Sequence, residues 1–282
     1  MNSIGTELSR QLADAVERAG PSIVHIEGRR HLASSGIVWS EGIVVTASHT
    51  LHRDDDIRVG DAGATLVGRD ETTDVAVLRV GSTPGSGTGE PGAASGERGA
   101  GSGIVWSNAV PRAGEIVIAA GRPGRGTRAT VGFITGVGGP WRTRDGGRID
   151  AIIEVDAHLP PGFSGGPLLA ADGRALGMNT SGLVRGGTTI PHATLTRVVN
   201  ELLDHGSIRR HHLGVGVYPV EQGLVVLSIQ RGGPAEAAGV IVGDVLQTNA
   251  RDLRESLDAA SAFTLKLTRG GEAKDVAVAV AT

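Results

Sequence analysis

The sequence contains no cysteine, and aromatic residues make up only 2% of its 282 residues. The absence of cysteine excludes a disulfide scaffold, a thiol nucleophile and cysteine-based zinc sites. No apolar run approaches the roughly 20 residues that a membrane helix needs, so we expect no membrane span. A net charge of −3 provides no basic excess for a nucleic-acid partner. The histidines share no single element that would supply a consistent ligand set, and we expect neither a metal nor a cofactor.

The N-terminal segment MNSIGTELSRQLADAVERAG lacks the basic start and the continuous apolar stretch of a signal peptide. As it stands, the sequence therefore predicts a cytoplasmic protein, or a protein of the cell envelope or periplasm if a leader was removed. Ile4, Leu8, Leu12 and Val16 recur every four residues within this segment, a spacing that predicts an amphipathic helix.

Most of the remaining chain alternates short β-rich pieces with Gly, Ser and Asp, which is typical of antiparallel β structure. Residues 81–103 are rich in glycine and nearly free of apolar side chains, so we expect a flexible insert between two β halves. Helical periodicity returns at 193–205. We predict a large domain over 1–206 and a small second domain over 207–282.

The segment PPGFSGGPLL encloses Ser164 between glycines, directly before an apolar run. A serine hydroxyl becomes a useful nucleophile only beside a base and near donors for the developing oxyanion. Glycines allow the backbone to turn sharply and aim successive N–H groups at one point. The N–H groups of Gly162 and Ser164 are therefore the predicted oxyanion donors. The alternative is an ordinary glycine-rich hairpin.

Two further residues qualify as partners for this serine. His49 follows the apolar run IVVTA, and Asp74 precedes the apolar run VAVLRV. Each alone is more simply a surface histidine or a turn aspartate. The chain order His49, Asp74, Ser164 is nevertheless the order of the Ser-His-Asp triad on double β-barrels. The agreement of three separate local signals favours nucleophilic acyl transfer.

The motifs TASHTL, DVAVL and GFSGGPL resemble the three active-site motifs of trypsin-like serine proteases. VDAHLPPGFSGGPLLAADGRALGMNTSG is similar to the serine region of the HtrA/Deg branch, and RGGPAEAAGVIVGDVL resembles its PDZ signature. The resemblance covers nearly the whole chain except the insert at 81–103. It implies a mainly β fold, a trypsin-like double antiparallel β-barrel with an N-terminal helix, followed by a small α+β PDZ-like domain.

The resemblance also implies an activity, that of a serine endopeptidase which cleaves unfolded or misfolded polypeptides in protein quality control. In that reaction His49 is the general base, Asp74 orients the imidazole, Ser164 forms the acyl-enzyme, and Gly162 and Ser164 supply the oxyanion hole. The implied specificity pocket is apolar and favours small or medium aliphatic side chains. It is lined by Leu159, Asn179, Thr180, Ser181 and Gly182.

The PDZ-like segment implies a second ligand, the C-terminus of a polypeptide added to the domain as an extra strand. Leu213, Gly214 and Val215 match the carboxylate-binding loop and the start of the pairing strand. Leu253 and Leu257, four residues apart on a predicted helix, would close an apolar pocket. The alternative is that these leucines form only the core of a small domain.

Departures from the family pattern keep a second function open, that of a catalytically impaired peptide-binding or chaperone-like protein. Phe163 precedes the serine where Asn is common, and His158 occupies a usually small position. The segment 207–282 is also short for a PDZ domain. The branch forms homo-oligomers, notably trimers, through aromatic residues that have no obvious counterpart here.

Overall fold

The computed structural model describes residues 4–29, 32–81, 103–107, 109–209, 211–259 and 261–280. The predicted insert at 81–103 lies almost wholly outside these residues. The chain divides into two compact units, Met1–Ile208 and Arg209–Thr282. Among the described helices, none is long and apolar enough to cross a membrane.

The first unit opens with the predicted amphipathic helix α1 (Ile4–Ala19), which continues into a short 3₁₀ turn, Gly20–Ser22. A closed antiparallel barrel follows, with its strands in the order β1-β2-β3-β6-β5-β4. We call it the first barrel. Its strands are β1 (Ile23–Glu27), β2 (Ser34–Ser40), β3 (Ile43–Ala47), β4 (Ile57–Val59), β5 (Ala62–Asp70) and β6 (Val75–Val80).

The second half of this unit is a six-stranded, barrel-like antiparallel sheet, which we call the second sheet. Its strand order is β11-β8-β7-β12-β13-β14. The strands are β7 (Ile116–Gly121), β8 (Arg128–Gly138), β11 (Ile152–Val155), β12 (Pro167–Ala170), β13 (Ala175–Thr180) and β14 (Thr188–Pro191). A small hairpin, β9 (Trp141–Arg142) and β10 (Arg148–Ile149), precedes β11.

The helix predicted at 193–205 is α2 (His192–His205). It ends at Gly206, whose φ of 71° is left-handed and whose N–H bonds to the carbonyl of Leu202. Glycine adopts this conformation without the Cβ penalty that other residues incur. Leu195, Val198 and Leu202 are fully buried in a core to which both halves of the unit contribute.

The register of the first barrel brings the predicted His49 and Asp74 together. β3 and β6 are adjacent antiparallel strands, and Ala47 pairs with Val75 at the end of their ladder. Because His49 follows Ala47 by two residues and Asp74 directly precedes Val75, both leave the barrel at the same edge. The buried valines of these strands fix the register, since a slip by one residue would turn their side chains out of the core.

The second unit consists of a five-stranded antiparallel sheet and two helices. The strand order is β15-β16-β17-β18-β19, so that β15 lies at an edge. The elements are β15 (Val215–Val220), β16 (Gly223–Ile229), α3 (Pro234–Ala237), β17 (Val245–Leu246), α4 (Ala250–Ala259), β18 (Ala262–Arg269) and β19 (Glu272–Ala279). The predicted mainly β fold, with its N-terminal helix and later sheet domain, is confirmed.

One buried ion pair links elements of this second unit. The Arg269 guanidinium donates two hydrogen bonds of 2.8 Å to the carboxylate of Asp244, whose side chain is fully buried. The N–H of Ile241 donates to the same carboxylate at 2.9 Å. Hydrogen bonding to Arg269 holds the pKa of Asp244 below its ordinary value, against the opposing effect of burial.

Candidate active site

His49 and Asp74 are joined by two hydrogen bonds at the edge of the first barrel, and the neighbouring Ser48 adds a third bond to Asp74. His49 lies in a short 3₁₀ turn, Ser48–Thr50, directly after β3. Its ring Nδ1 is 2.8 Å from Asp74 Oδ2, and its backbone N–H donates to Asp74 Oδ1 at 2.7 Å. The N–H of Ser48 donates to the Asp74 carbonyl at 3.1 Å. This two-oxygen contact fixes the imidazole with its Nδ1 side toward the carboxylate and leaves Nε2 for other chemistry.

The Asp74 carboxylate is desolvated and held by a third donor. Its side chain is 4% exposed, and the hydroxyl of Thr180, at the end of β13, donates to Oδ2. The backbone of Asp74 has a φ of 59°, a left-handed conformation that Asp and Asn tolerate better than most residues do. A buried carboxylate with several donors keeps a fixed orientation, which a base-orienting group requires.

Gly182 allows the chain after β13 to pass close to this pair. A Cβ atom at Gly182 would lie 2.6 Å from Asp74 Oδ2 and 2.6 Å from His49 Nδ1. Atoms do not approach so closely without displacement, so only glycine fits this position with the pair undisturbed.

Ser164 follows a tight turn between β11 and β12. The turn is closed by a 3.1 Å hydrogen bond from the Phe163 N–H to the Pro160 carbonyl. Pro161 and Gly162 occupy its central positions, and Gly162 has a φ of 90°. Proline followed by a residue with positive φ is the type II turn pattern, which requires glycine or asparagine at the second central position. Gly162, the first glycine of the cluster noted in the sequence, is therefore needed for the backbone conformation of this turn.

Two N–H groups around this turn make no hydrogen bond within the described part of the chain, namely those of Gly162 and Ser164. Their neighbours are all engaged. The Phe163 N–H is used in the turn, and the N–H groups of Gly165 and Gly166 donate to the carbonyls of Asn179 and Phe163 at 2.9 Å. Two unpaired N–H groups flanking one engaged group are the kind of donors that can stabilise a developing negative charge.

The Ser164 hydroxyl is oriented by Ser181 in this structure. Its Oγ lies 3.1 Å from Ser181 Oγ and accepts the Ser181 N–H at 3.2 Å. Within the described residues, these two contacts are the hydrogen bonds of Ser164 Oγ, and His49 Nε2 does not share in them. The structure thus brings His49 and Asp74 into direct contact and holds Ser164 on the adjacent turn, bonded to a different partner.

The two unusual residues beside the serine lie away from this hydroxyl. Phe163 is 1% exposed, and its ring is part of the core of the second sheet, together with Val117, Ile134 and Leu168. His158 is exposed, and its carbonyl accepts a hydrogen bond of 2.6 Å from the Thr130 hydroxyl.

Comparisons with known proteins identify the family of this chain. A family model described as the trypsin-like peptidase domain matches residues 34–178, more than half of the chain. This chain belongs to the trypsin-like peptidase family. A probable periplasmic serine endoprotease, DegP-like, from Brucella suis is 32% identical over 75% of this chain and 43% of its own length. The serine endoprotease DegS from Escherichia coli is 28% identical over 82% of this chain and 72% of its own length.

Solved structures agree with this assignment. An HtrA-type protease, AlgW, with a decapeptide has a TM-score of 0.72 at 25% identity, over 95% of this chain and 98% of its own. The serine endoprotease from Yersinia pestis has a TM-score of 0.72 at 26% identity, over 95% and 97%. The chain therefore belongs to the HtrA branch of the trypsin-like peptidase family. It spans 43% of the length of the DegP-like relative from Brucella suis.

The residues predicted to line a specificity pocket have mixed surroundings in this HtrA-type chain. Asn179 is fully buried and donates to the Pro167 carbonyl at 2.8 Å. Leu159 is partly buried, and a Cβ at Gly187 would lie 2.5 Å from its Cδ1. The side chains of Thr180 and Ser181 instead contact Asp74 and Ser164.

Sequence reasoning missed a cavity of about 470 Å³ beside His49 and Asp74. Its lining comes from four separate stretches of the chain and includes the charged and polar residues Arg69, Glu71, Thr143, Arg144 and Asp145. These residues carry no local motif, because only the fold brings the loops together.

In the second unit, the predicted carboxylate loop and strand lie at the sheet edge. Gly214 has a φ of 73°, and Val215 begins the edge strand β15. Leu213 and Leu253 are 3% and 7% exposed and belong to the core of the unit, and Leu257 packs against that core. The leucines thus contribute to packing, as in the simpler of the two interpretations.

Proposed function

We propose that this protein is a serine endopeptidase of the HtrA type that cleaves unfolded or misfolded polypeptides through an acyl-enzyme. The observation that supports it best is the His49–Asp74 pair, joined by two hydrogen bonds, beside a serine on a turn with two unpaired N–H groups. The names of the relatives, DegS and DegP-like serine endoproteases, support the same reaction class.

In the proposed mechanism His49 Nε2 takes the proton of Ser164 Oγ as that oxygen attacks the scissile carbonyl. Ser164 Oγ first leaves Ser181 and turns toward the imidazole, a rotation about one side-chain bond. Asp74 stabilises the imidazolium that forms. The proton then passes from His49 to the leaving amine. Water, deprotonated by His49, next attacks the ester, and His49 returns that proton to Ser164 Oγ as the acid product leaves.

The oxyanion of the tetrahedral intermediate would be held by the N–H groups of Gly162 and Ser164. Removal of one such donor typically costs about 10²- to 10³-fold in kcat. A catalytically impaired protein is the less supported alternative, because the Phe163 ring is buried in the core and the His158 side chain is exposed.

A fluorophosphonate probe and fluorescent casein test the proposal. The wild-type chain should be labelled once and should cleave casein. Ser164→Ala should abolish both signals, and His49→Ala should slow both by several orders of magnitude. Labelling that persists in Ser164→Ala, or a wild type that neither labels nor cleaves, would refute the proposal.

For the second unit we propose binding of polypeptide C-termini along β15. Support comes from the outer edge of β15, which pairs with no other strand in the described part of the chain, and from the left-handed Gly214 before it, where backbone N–H groups can face a carboxylate. A peptide with an aliphatic C-terminal residue should bind the full chain, and its C-terminal amide should bind at least tenfold more weakly. Equal affinities would remove the carboxylate loop from the proposal.

We also propose a homo-oligomer, and an envelope location in keeping with the word "periplasmic" in the name of the DegP-like relatives. Light scattering of the purified chain tests the first. Fractionation of cells that express the untagged protein tests the second.

A further inference from the structure

Ser35 of the first barrel is bonded to the turn that precedes Ser164. It lies in β2 and is fully buried. Its hydroxyl donates to the Gly162 carbonyl at 2.7 Å and accepts the N–H of Arg122 at 2.7 Å. Its backbone N–H donates to the Ser164 carbonyl at 3.1 Å. One residue of the first barrel therefore contacts both residues whose N–H groups are unpaired.

These bonds immobilise two peptide groups, one that lies between the two unpaired N–H groups and one that follows Ser164. The peptide between Gly162 and Phe163 is held at its carbonyl by Ser35 and at its N–H by Pro160. The peptide between Ser164 and Gly165 is held at its carbonyl by Ser35 and at its N–H by Asn179.

By contrast, within the described residues no hydrogen bond holds the peptide between Pro161 and Gly162, which carries one unpaired N–H. Its orientation depends on its neighbours, and glycine has wide rotational freedom. The Ser35 bond to the Gly162 carbonyl is thus the side-chain contact that limits rotation of this peptide.

We propose that Ser35 is a positioning residue for the oxyanion hole, acting through the Gly162 carbonyl. The inference rests on the proposed function. Ser35 does not contact substrate. It keeps the Gly162 N–H aimed at the position of the oxyanion, so its loss should impair the transition state more than substrate binding.

The neighbouring Ser34 provides a matched control. It is 1% exposed and lies on the same strand, and its buried hydroxyl has no hydrogen-bond partner among the residues that the structure describes. Ser34→Ala and Ser35→Ala thus remove the same atom from adjacent buried positions, and only the second breaks bonds to the turn.

The test compares kcat and KM for an aliphatic p-nitroanilide peptide, together with inhibition by a peptide boronic acid, whose tetrahedral adduct occupies the oxyanion hole. Ser35→Ala should lower kcat about 10- to 100-fold with KM within about twofold. The variant should also weaken inhibition by the boronic acid to a similar extent. Ser34→Ala should leave all three constants within about twofold of wild type.

Ser35→Cys is a control for misfolding, because a thiol of similar size fills the site and donates only a weak hydrogen bond. We expect its kcat to lie between those of wild type and Ser35→Ala. The inference is overturned if either Ser35 variant retains the wild-type kcat, or loses activity through KM alone, or if Ser34→Ala shows the same loss. An inactive wild type that is not labelled at Ser164 would instead refute the proposed peptidase function.

Discussion

Ser181→Ala should accelerate acylation of Ser164. In the resting structure Ser181 holds the Ser164 hydroxyl through a 3.1 Å contact between the two oxygens. The proposed attack needs this oxygen beside His49 Nε2, so the Ser181 hydroxyl stabilises the ground state and not the reacting geometry. Removal of an interaction made only in the ground state lowers the barrier.

The size of the effect follows from the kind of bond. A neutral hydrogen bond contributes about 0.5–1.5 kcal/mol net, and Ser181 is exposed, so water competes and the lower half of this range applies. A change of about 0.5–1 kcal/mol corresponds to about a two- to fivefold faster reaction. The Ser181 N–H, 3.2 Å from Ser164 Oγ, remains in the variant and limits the gain.

The assay is the second-order rate of fluorophosphonate labelling, measured beside the melting temperature. Ser181→Thr keeps the hydroxyl and should label at close to the wild-type rate. An unchanged or slower rate for Ser181→Ala, with its melting temperature unaltered, would show that the contact does not restrain the nucleophile.

Two further variants test separate parts of the molecule. Gly182→Ala places a methyl group 2.6 Å from both His49 Nδ1 and Asp74 Oδ2. The resulting displacement of this pair should lower kcat/KM by about 10- to 100-fold with little change in melting temperature. A loss of kcat/KM below twofold would contradict the geometry. Asp244→Asn should destabilise the second unit by about 1.5–3 kcal/mol at neutral pH through the weakened bonds to Arg269, measured by amide hydrogen exchange. The pKa of Asp244 is lowered in the folded state, so the stabilisation by its carboxylate is present above the ordinary aspartate pKa and is lost as the pH falls through the lowered value. The stabilities of wild type and Asp244→Asn should therefore become equal in acid. A difference in stability that persists there would refute this account.

The fold could be predicted from the sequence, and the candidate site residues could be proposed from it, because their signals are local. The helix predicted at 193–205 differs by one residue from His192–His205. His49 and Asp74 were predicted at strand ends, and strand pairing brings those ends together. Gly162 was predicted from its position before the serine, and it adopts the positive φ that glycine permits.

The supporting residues could not be predicted in the same way, because their partners are distant in the chain. Thr180 reaches Asp74 across 106 residues, and Ser35 reaches Gly162 across 127. A hydroxyl in a strand carries no periodicity or motif that identifies its acceptor. The family resemblance implies that Thr180 lines a pocket, and it does not reveal that the Thr180 hydroxyl donates to the Asp74 carboxylate.

These long-range bonds make the candidate site depend on the docking of the two halves of the first unit. The first barrel supplies His49, Asp74 and Ser35, and the second sheet supplies Ser164 and Thr180. The Thr180 hydroxyl bonds across this boundary to Asp74, and Ser35 bonds across it to the turn before Ser164. A small displacement of one half against the other would therefore disturb the carboxylate and the oxyanion turn together. Loss of activity should then precede loss of secondary structure during denaturation, since each half keeps its own ladders after the bonds between them break.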